Sequence, residues 1–362
     1  MVLSYQTLFK ISTGAQPMIR TAVNLDKLIQ PASLDVPVGE KCYRVSVSVS
    51  PSKNRPVSSL LKRFSFYDFE VKSEGAMLEK SMTYIIPLGI ELSLANQFRA
   101  TFSPKSTTGR NDVFVRVLTE DGEEFDQTSF GYSGMLYLEV TPLSFGIKIY
   151  PSQCLTQMRV EDGSNQILSD EELSILHSEH GIVRNEEGEP IPAVIENGAL
   201  YLHLNLASRK TPIGYASVEN PESIAHTGVK GKDSKNKFWR KLELSEHNDL
   251  TLTPNSFSLL YTKERIVIPS CVAATMQEYS VGMGEFRTHY AGFFDPGFGG
   301  DKGTYGVLEF RPHTLSVCLR DGQAVCRMVF YKVDQVPEML YSAMGNYVHV
   351  GPNLPKNIEG SW

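Results

Sequence analysis

Shifted by 170 residues, this chain falls on a second copy of itself. Leu138-Glu139-Val140-Thr-Pro142 lands on Leu308-Glu309-Phe310-Arg-Pro312, and without a gap Gln153 lands on Gln323 and Met158 on Met328. At the same shift Leu34-Asp35-Val36 lands on Leu204-Asn205-Leu206, whereas Leu92-Ser-Leu94 and Leu250-Thr-Leu252 would correspond only with a gap. Matches at one offset point to a tandem duplication of one unit, each copy filling about half of the chain. At 362 residues the chain is long enough for two ordinary domains, each with its own core.

The strand signals are short, frequent and separated by turns, which makes the expected class mainly β. Residues 1–30 read as a helix-rich entry, and Gln30-Pro-Ala-Ser-Leu-Asp35-Val-Pro-Val-Gly39 as a short strand ending in a turn. Residues 41–50 largely alternate, the pattern of a half-buried strand, and residues 51–80 read as loop and amphipathic pieces. Tyr84-Ile-Ile-Pro-Leu, Glu91-Leu-Ser-Leu, Val113-Phe-Val-Arg-Val and Met135-Leu-Tyr-Leu-Glu-Val are expected strands, with Ile147-Lys-Ile-Tyr closing the set. Ser169-Asp-Glu-Glu172 is a capping box ahead of Leu173, Ile175 and Leu176, so a helix starts there. Strands resume at Leu200-Tyr-Leu-His-Leu-Asn-Leu, Leu250-Thr-Leu, Phe257-Ser-Leu-Leu-Tyr and Arg265-Ile-Val-Ile. The expected units are residues 1–165 and 196–362, joined by a helical, charged connector over 166–195.

Composition narrows the function classes. The content is 41% hydrophobic and 21% charged, that of a soluble globular chain, and the net charge of −6 argues against a general nucleic-acid binder. No apolar run approaches the ~18 residues a membrane helix needs, and the N-terminus shows no signal-peptide pattern. Cys42, Cys154, Cys271, Cys318 and Cys326 are an odd, scattered set without a Cys-x-x-Cys pair. They read as reduced core thiols of a cytoplasmic protein. His177 and His180 read as the solvated face of an acidic helix, and Phe238-Trp239 as packed aromatics with a solvated lysine and arginine rim.

Two constellations carry chemistry. The first is Arg287-Thr-His-Tyr-Ala-Gly-Phe-Phe-Asp-Pro-Gly-Phe-Gly-Gly running into Gly306-Val-Leu-Glu309-Phe310. It reads as two strands joined by a glycine-rich turn at Asp295-Pro296-Gly297, whose glycines would let a flat ligand approach the backbone. Glu309 stands inside an apolar strand, where a carboxylate either ties a structural network or has its pKa raised for proton transfer. The second is Ser103-Pro-Lys105-Ser106-Thr-Thr-Gly109-Arg110, read either as a phosphate cradle or as a solvated polar turn. In the second copy its counterpart is expected near Pro269-Ser-Cys-Val-Ala-Ala-Thr, which has neither Lys nor Arg. The first copy's version of the glycine-rich turn, Asp126-Gln-Thr-Ser-Phe-Gly-Tyr-Ser-Gly, has lost its Asp-Pro-Gly. Copies that have each lost a different half imply that the surviving halves meet in one composite site.

These residues resemble the dCTP deaminase family, in its tandem double-length bacterial form, within the dUTPase-like superfamily. Lys105-Ser-Thr-Thr-Gly-Arg110 is similar to the family's Ser-x-x-x-Arg loop, and His289-Tyr-Ala-Gly-Phe-Phe-Asp-Pro-Gly-Phe-Gly with Val307-Leu-Glu309-Phe to its hairpin and glutamate strand. Gln30-Pro-Ala-Ser-Leu-Asp35 resembles its N-terminal strand, and Tyr341-Ser-Ala-Met-Gly-Asn-Tyr347 the C-terminal segment that closes over the nucleotide. The resemblance implies a distorted β-barrel or jelly-roll unit and a homo-oligomer with sites between units. It implies conversion of dCTP and water to dUTP and ammonia, supplying the dUTP/dTTP precursor route, with Mg2+ on the triphosphate, no zinc and feedback by dTTP. It makes Glu309 the general base and proton shuttle, and Arg110 and Ser106 the groups that fix water and stabilise charge. Lys105, Ser106 and Thr107 would lie near phosphates, and the backbone at Ala291 near the exocyclic amine. Asp295 and Phe298 would hold the deoxyribose and exclude the ribose 2′-OH, and Gly297, with Tyr341 and Tyr347 of the closing segment, would be further substrate-binding residues. Glu139 occupies the glutamate position of the first copy and is held in reserve.

Three other readings compete. The zinc-dependent cytidine deaminases need His-x-Glu with Pro-Cys-x-x-Cys, a pairing this chain lacks. A dUTPase, or a bifunctional enzyme releasing dUMP and pyrophosphate, would use Asp295 to activate water. The third is a non-catalytic nucleotide-binding regulator or a purely structural β-protein, against which Lys105, Ser106, Arg110 and Glu309 argue only jointly.

Overall fold

The computed structural model describes all residues except 165–166, 209–211, 279–285, 288–291, 345–353 and 361–362. It is a mainly β chain in which two units repeat one topology, the second with Val194–Glu196 and Phe293–Phe294 as additional strands. In the first unit an antiparallel sheet runs Ser65–Glu70, Lys41–Val45, Thr83–Ser93, Ser133–Pro142, Val113–Thr119, with Ile19–Thr21 also on Thr83–Ser93. In the second, Trp239–Lys241, Tyr215–Ser217, Ser258–Ile266, Thr304–Pro312 and Phe286–Arg287 take the same places, with Val183–Arg184 on Ser258–Ile266. The other layer follows suit: Leu34–Pro37, Cys154–Glu161 and Arg99–Pro104 against Ala199–His203, Ala324–Lys332 and Val272–Glu278.

Register shows where the two copies gain and lose residues. Leu34 faces Met158 as Leu200 faces Met328, so the offset there is 166 rather than 170, and Asp35 corresponds to Tyr201, not to Asn205. The counterpart of Leu250–Leu252 is Ala76–Leu78, because each pairs with the short strand after its glutamate strand; it is not Leu92-Ser-Leu94. Phe102 faces Met158 as Met276 faces Met328. Continuing that register, the counterpart of residues 105–110 falls at about residues 279–284, outside the described residues, and not at Pro269–Thr275. The sequence there is Tyr-Ser-Val-Gly-Met-Gly, again without Lys or Arg.

Several expected elements merge or shorten. Tyr84–Leu88 and Glu91–Leu94 are one strand, Thr83–Ser93, and Phe257–Tyr261 and Arg265–Ile268 are largely one strand, Ser258–Ile266; each pair is joined across an irregularity in its ladder. The strand expected over 41–50 stops at Val45, and the entry holds one α-helix, Tyr5–Thr13. A further strand, Cys154–Glu161, follows the one expected to close the first set. The capping box is present: Ser169 accepts from Glu172 N, and the helix Asp170–His180 ends at Gly181 in the left-handed region. This helix buries Leu173 and Leu176 in the core of the second unit, where Leu168, Ile182 and Val183 from either side of it join them.

The units share one interface. Phe238, Trp239 and Phe257 from the second unit enter the core of the first, where Phe145 meets Phe238 edge-on at 5.1 Å between ring centres. Burial of three such rings fixes how the units sit against each other. All five cysteines are free thiols; Cys42 and Cys326 are buried, but Cys271 and Cys318 are exposed rather than core residues. Among the described residues no helix is long and apolar enough to cross a membrane.

Candidate active site between the repeats

The two constellations meet in one cleft between the units, with an empty volume of about 840 Å³ including the solvent at its mouth. Lys105, Ser106, Thr107 and Arg110 line it from the first unit, and Asp295, Phe298, Glu309 and Tyr341 from the second.

The polar stretch after Pro104 is one helical turn, Ser106–Arg110, rather than an open loop. Thr108 Oγ1 donates to Leu155 O at 2.7 Å, and Asn111 Nδ2 donates to Thr107 O at 2.8 Å, so both ends of the turn are tied down. Lys105 pairs with Asp35 on the neighbouring strand. Arg110 is buried at the end of the turn.

Glu309 reaches this turn from the centre of Thr304–Pro312 and is 2% exposed. Its carboxylate lies against the Cα of Gly109: a Cβ there would overlap both carboxylate oxygens. Glycine is therefore required by close approach, not by backbone angle. A buried carboxylate beside Ser106 and Arg110 can accept a proton from a nucleophile held in the cleft.

The start of the glycine-rich segment, Phe286–Arg287, pairs antiparallel with Thr304–Pro312, but the strands that directly flank its Asp-Pro-Gly turn do not pair with each other. Phe293–Phe294 pairs with Val272–Glu278, whereas Thr304–Pro312 pairs with Ser258–Ile266, so the segment crosses between two sheets. Gly292 lines the cleft and a side chain at Gly300 would meet nothing within 4 Å, but two other glycines of the segment pack on protein. Gly297, at φ +86, abuts Leu340 and Tyr341, and Gly299 abuts Ile266 O; Gly297 does not line the cleft. Phe298 does, packed edge-on to Phe294 at 4.8 Å and beside Tyr341 at 5.5 Å. Asp295 reaches back to the first unit, where its carboxylate accepts from Ala32 N at 2.7 Å and Ser33 Oγ at 3.0 Å. Burial pushes its pKa up to about 7, aided by the negative charge of Asp35. Ala291 and Tyr347 lie outside the described residues.

Sequence reading missed part of the lining. Gln30 and Gln157 face the cleft, Gln157 opposite both Asp35 and Ser103 in the sheet. Lys356 enters from the far end of the chain and, with Lys230, lines a second hollow that opens off the first past Lys105 and Thr107. The C-terminal segment is pinned there: Gly231 N donates to Lys356 O at 2.9 Å, and Asn357 joins Asp233 to Asn111. Burial and then the neighbouring Lys105 push the Lys356 pKa down to about 8. Excess positive charge held this way suits a polyanion. No short-range sequence signal marks Lys356, because 200 or more residues separate it from its neighbours Lys105 and Arg110.

Glu139 is elsewhere. It holds the strand position equivalent to Glu309 but accepts from Arg116 at 2.8 Å, Ser48 Oγ at 2.9 Å and Val49 N at 3.1 Å. Residues 46–64, including the helix Val57–Phe64, fold over it and bury Val49, Val57 and Leu60 against Ile85 and Leu118. In the second unit the corresponding insertion, residues 218–238, turns away onto the first unit, where Lys148 N donates to Ala225 O at 2.7 Å. The face of Glu309 is thereby left for the turn carrying Gly109.

Among the described residues no group of three or more His, Cys, Asp or Glu is arranged to hold a metal ion. The donors of the cleft are cations and hydroxyls, which suit an anionic ligand.

Residues 2–164 match the 2'-deoxycytidine 5'-triphosphate deaminase N-terminal domain, and residues 169–357 match the C-terminal domain of the same enzyme. The fold is similar to the crystal structure of 2'-deoxycytidine 5'-triphosphate deaminase from Agrobacterium tumefaciens, at TM-score 0.83 and 34% identity, covering 93% of this chain and 99% of that one. A "dCTP deaminase, dUMP-forming" of Aquifex aeolicus (strain VF5) is 32% identical over 121 residues, which span 33% of this chain and 63% of that protein. With both halves matched in order and a solved relative alike over nearly its whole length, the chain belongs to the dCTP deaminase family.

Proposed function

We propose that this chain hydrolyses the C4 amine of dCTP without zinc, giving dUTP and ammonia. The observation that carries the reading is the buried Glu309 carboxylate against Gly109, with Arg110 and Ser106 in the same cleft. Water bound there would give a proton to Glu309 as its oxygen adds to C4, and Glu309 would pass that proton to N3. It would then take the new hydroxyl proton and hand it to the amine, which leaves as ammonia while the C4 carbonyl forms. Arg110 and Ser106 hold the water and the developing charge. The phosphates, with Mg2+ as part of the substrate, run towards Lys105, Lys356 and Lys230. Phe298 and Asp295 flank the sugar.

A second reading, release of dUMP and pyrophosphate, is favoured by the name of the Aquifex relative and by Asp295 in the cleft. Incubation with dCTP and Mg2+, with a zinc chelator in a parallel reaction, separates the two. Chelator-insensitive ammonia with dUTP supports the first, and ammonia with dUMP and pyrophosphate the second. Absence of ammonia overturns both.

A further inference from the structure

Two contacts cross from the second unit to the first, two residues apart on the strand and three residues apart at the turn. Glu309 and Arg311 are alternate residues of Thr304–Pro312, so their side chains leave one face of the strand. Glu309 meets Gly109, and Arg311 meets Asp112, three residues further along the first unit. The second contact is tightly built. Arg311 Nη2 donates to Asp112 Oδ2, and Nε approaches Oδ1 at 3.4 Å. Ser144 Oγ donates to Asp112 Oδ2 at 2.6 Å and accepts from Arg311 Nη2 at 3.2 Å. Asp112 is fully buried and stands at φ +54, in the left-handed region that aspartate tolerates better than most residues. Its backbone N donates to Gly109 O at 2.8 Å, so the carboxylate that Arg311 grips is one hydrogen bond from the residue Glu309 touches.

We propose that Asp112 and Arg311 are a positioning pair for Glu309. The pair locks the end of the turn Ser106–Arg110 to the strand Thr304–Pro312, and that register sets the Glu309 carboxylate against Gly109 and Arg110. It takes no part in proton transfer. The inference rests on the reading of Glu309 as the proton-transfer group. An ion pair that only joined the units would affect stability and leave the rate of the folded enzyme alone. A positioning pair affects the rate at saturating substrate, because a carboxylate misplaced by about 1 Å can cost a hundredfold.

The test uses the full chain with dCTP and Mg2+, comparing wild type with R311K and with the double variant D112N/R311Q. Removing both charges leaves neither buried and unpaired, so the double variant preserves folding while abolishing the lock. Thermal unfolding, KM, kcat for ammonia release and the pH profile of kcat are measured for each. The expected result is a folded double variant with kcat down about ten- to a hundredfold, KM within about threefold and a displaced pH profile. R311K keeps the charge without the planar fork and falls between. Wild-type kcat and pH profile in both variants, with wild type active, overturn the positioning role alone. A wild type that releases no ammonia overturns the function reading and this inference with it.

Discussion

The Glu309 carboxylate of one repeat rests directly on the Cα of Gly109 in the other. Any side chain at 109 must displace it. G109A is therefore expected to fold, since Gly109 is not held at positive φ, and to lose kcat by about a hundredfold. Steady-state ammonia release beside a thermal melt checks this; an active G109A would show that the contact is dispensable.

Glu309 and Glu139 occupy equivalent strand positions with opposite surroundings, so their variants should part company. E309Q is expected to bind dCTP and release no ammonia. E139A leaves Arg116 without its buried partner and should cost about 3–5 kcal/mol of stability, with kcat of the folded protein retained. Denaturant unfolding and turnover measured on the same preparations distinguish them. Ammonia release persisting in E309Q would move the chemistry elsewhere.

Lys356 is expected to act on the phosphates. K356A should raise KM for dCTP by about tenfold or more, the loss of a charge-assisted hydrogen bond, with a smaller effect on binding of deoxycytidine. Its pKa near 8 places the loss of its charge just above neutrality. Wild-type affinity for the triphosphate should thus weaken above pH 8, and K356A should flatten that dependence. Equal pH dependence in the two proteins would remove Lys356 from the phosphate path.

Asp295 ties the repeats together with a pKa raised from 3.8 to about 7. A folded-state pKa above the unfolded one means that the folded protein holds the proton more tightly. The contribution is present in full below pH 3.8, declines as pH rises, and is lost above about 7. Wild type should therefore lose melting temperature between pH 5 and pH 8 relative to D295N, whose amide carbonyl still accepts from Ala32 and Ser33. Parallel melting curves for the two proteins across that range would contradict the assignment.

The sequence by itself determined the duplication, the mainly β class, the capped helix at Ser169 and, within the cleft, Lys105, Ser106, Thr107, Arg110, Asp295, Glu309 and Tyr341. These follow from local rules: periodicity, turn chemistry, capping, and residue types repeated at a fixed offset. The tertiary structure alone decided which strands of the glycine-rich segment pair, because Phe293–Phe294 and Thr304–Pro312 find partners in different sheets. It decided that Gly297 and Gly299 pack on protein, and that gaps of a few residues shift the repeat register at Leu34 and Phe102. It brought Lys356 and Lys230 to Lys105, and Arg311 to Asp112, through contacts for which chain separation carries no signal. It also separated two glutamates that look alike in sequence. One insertion folds back over Glu139, while its counterpart leaves Glu309 facing Gly109, and that choice rests on where each insertion buries its apolar residues.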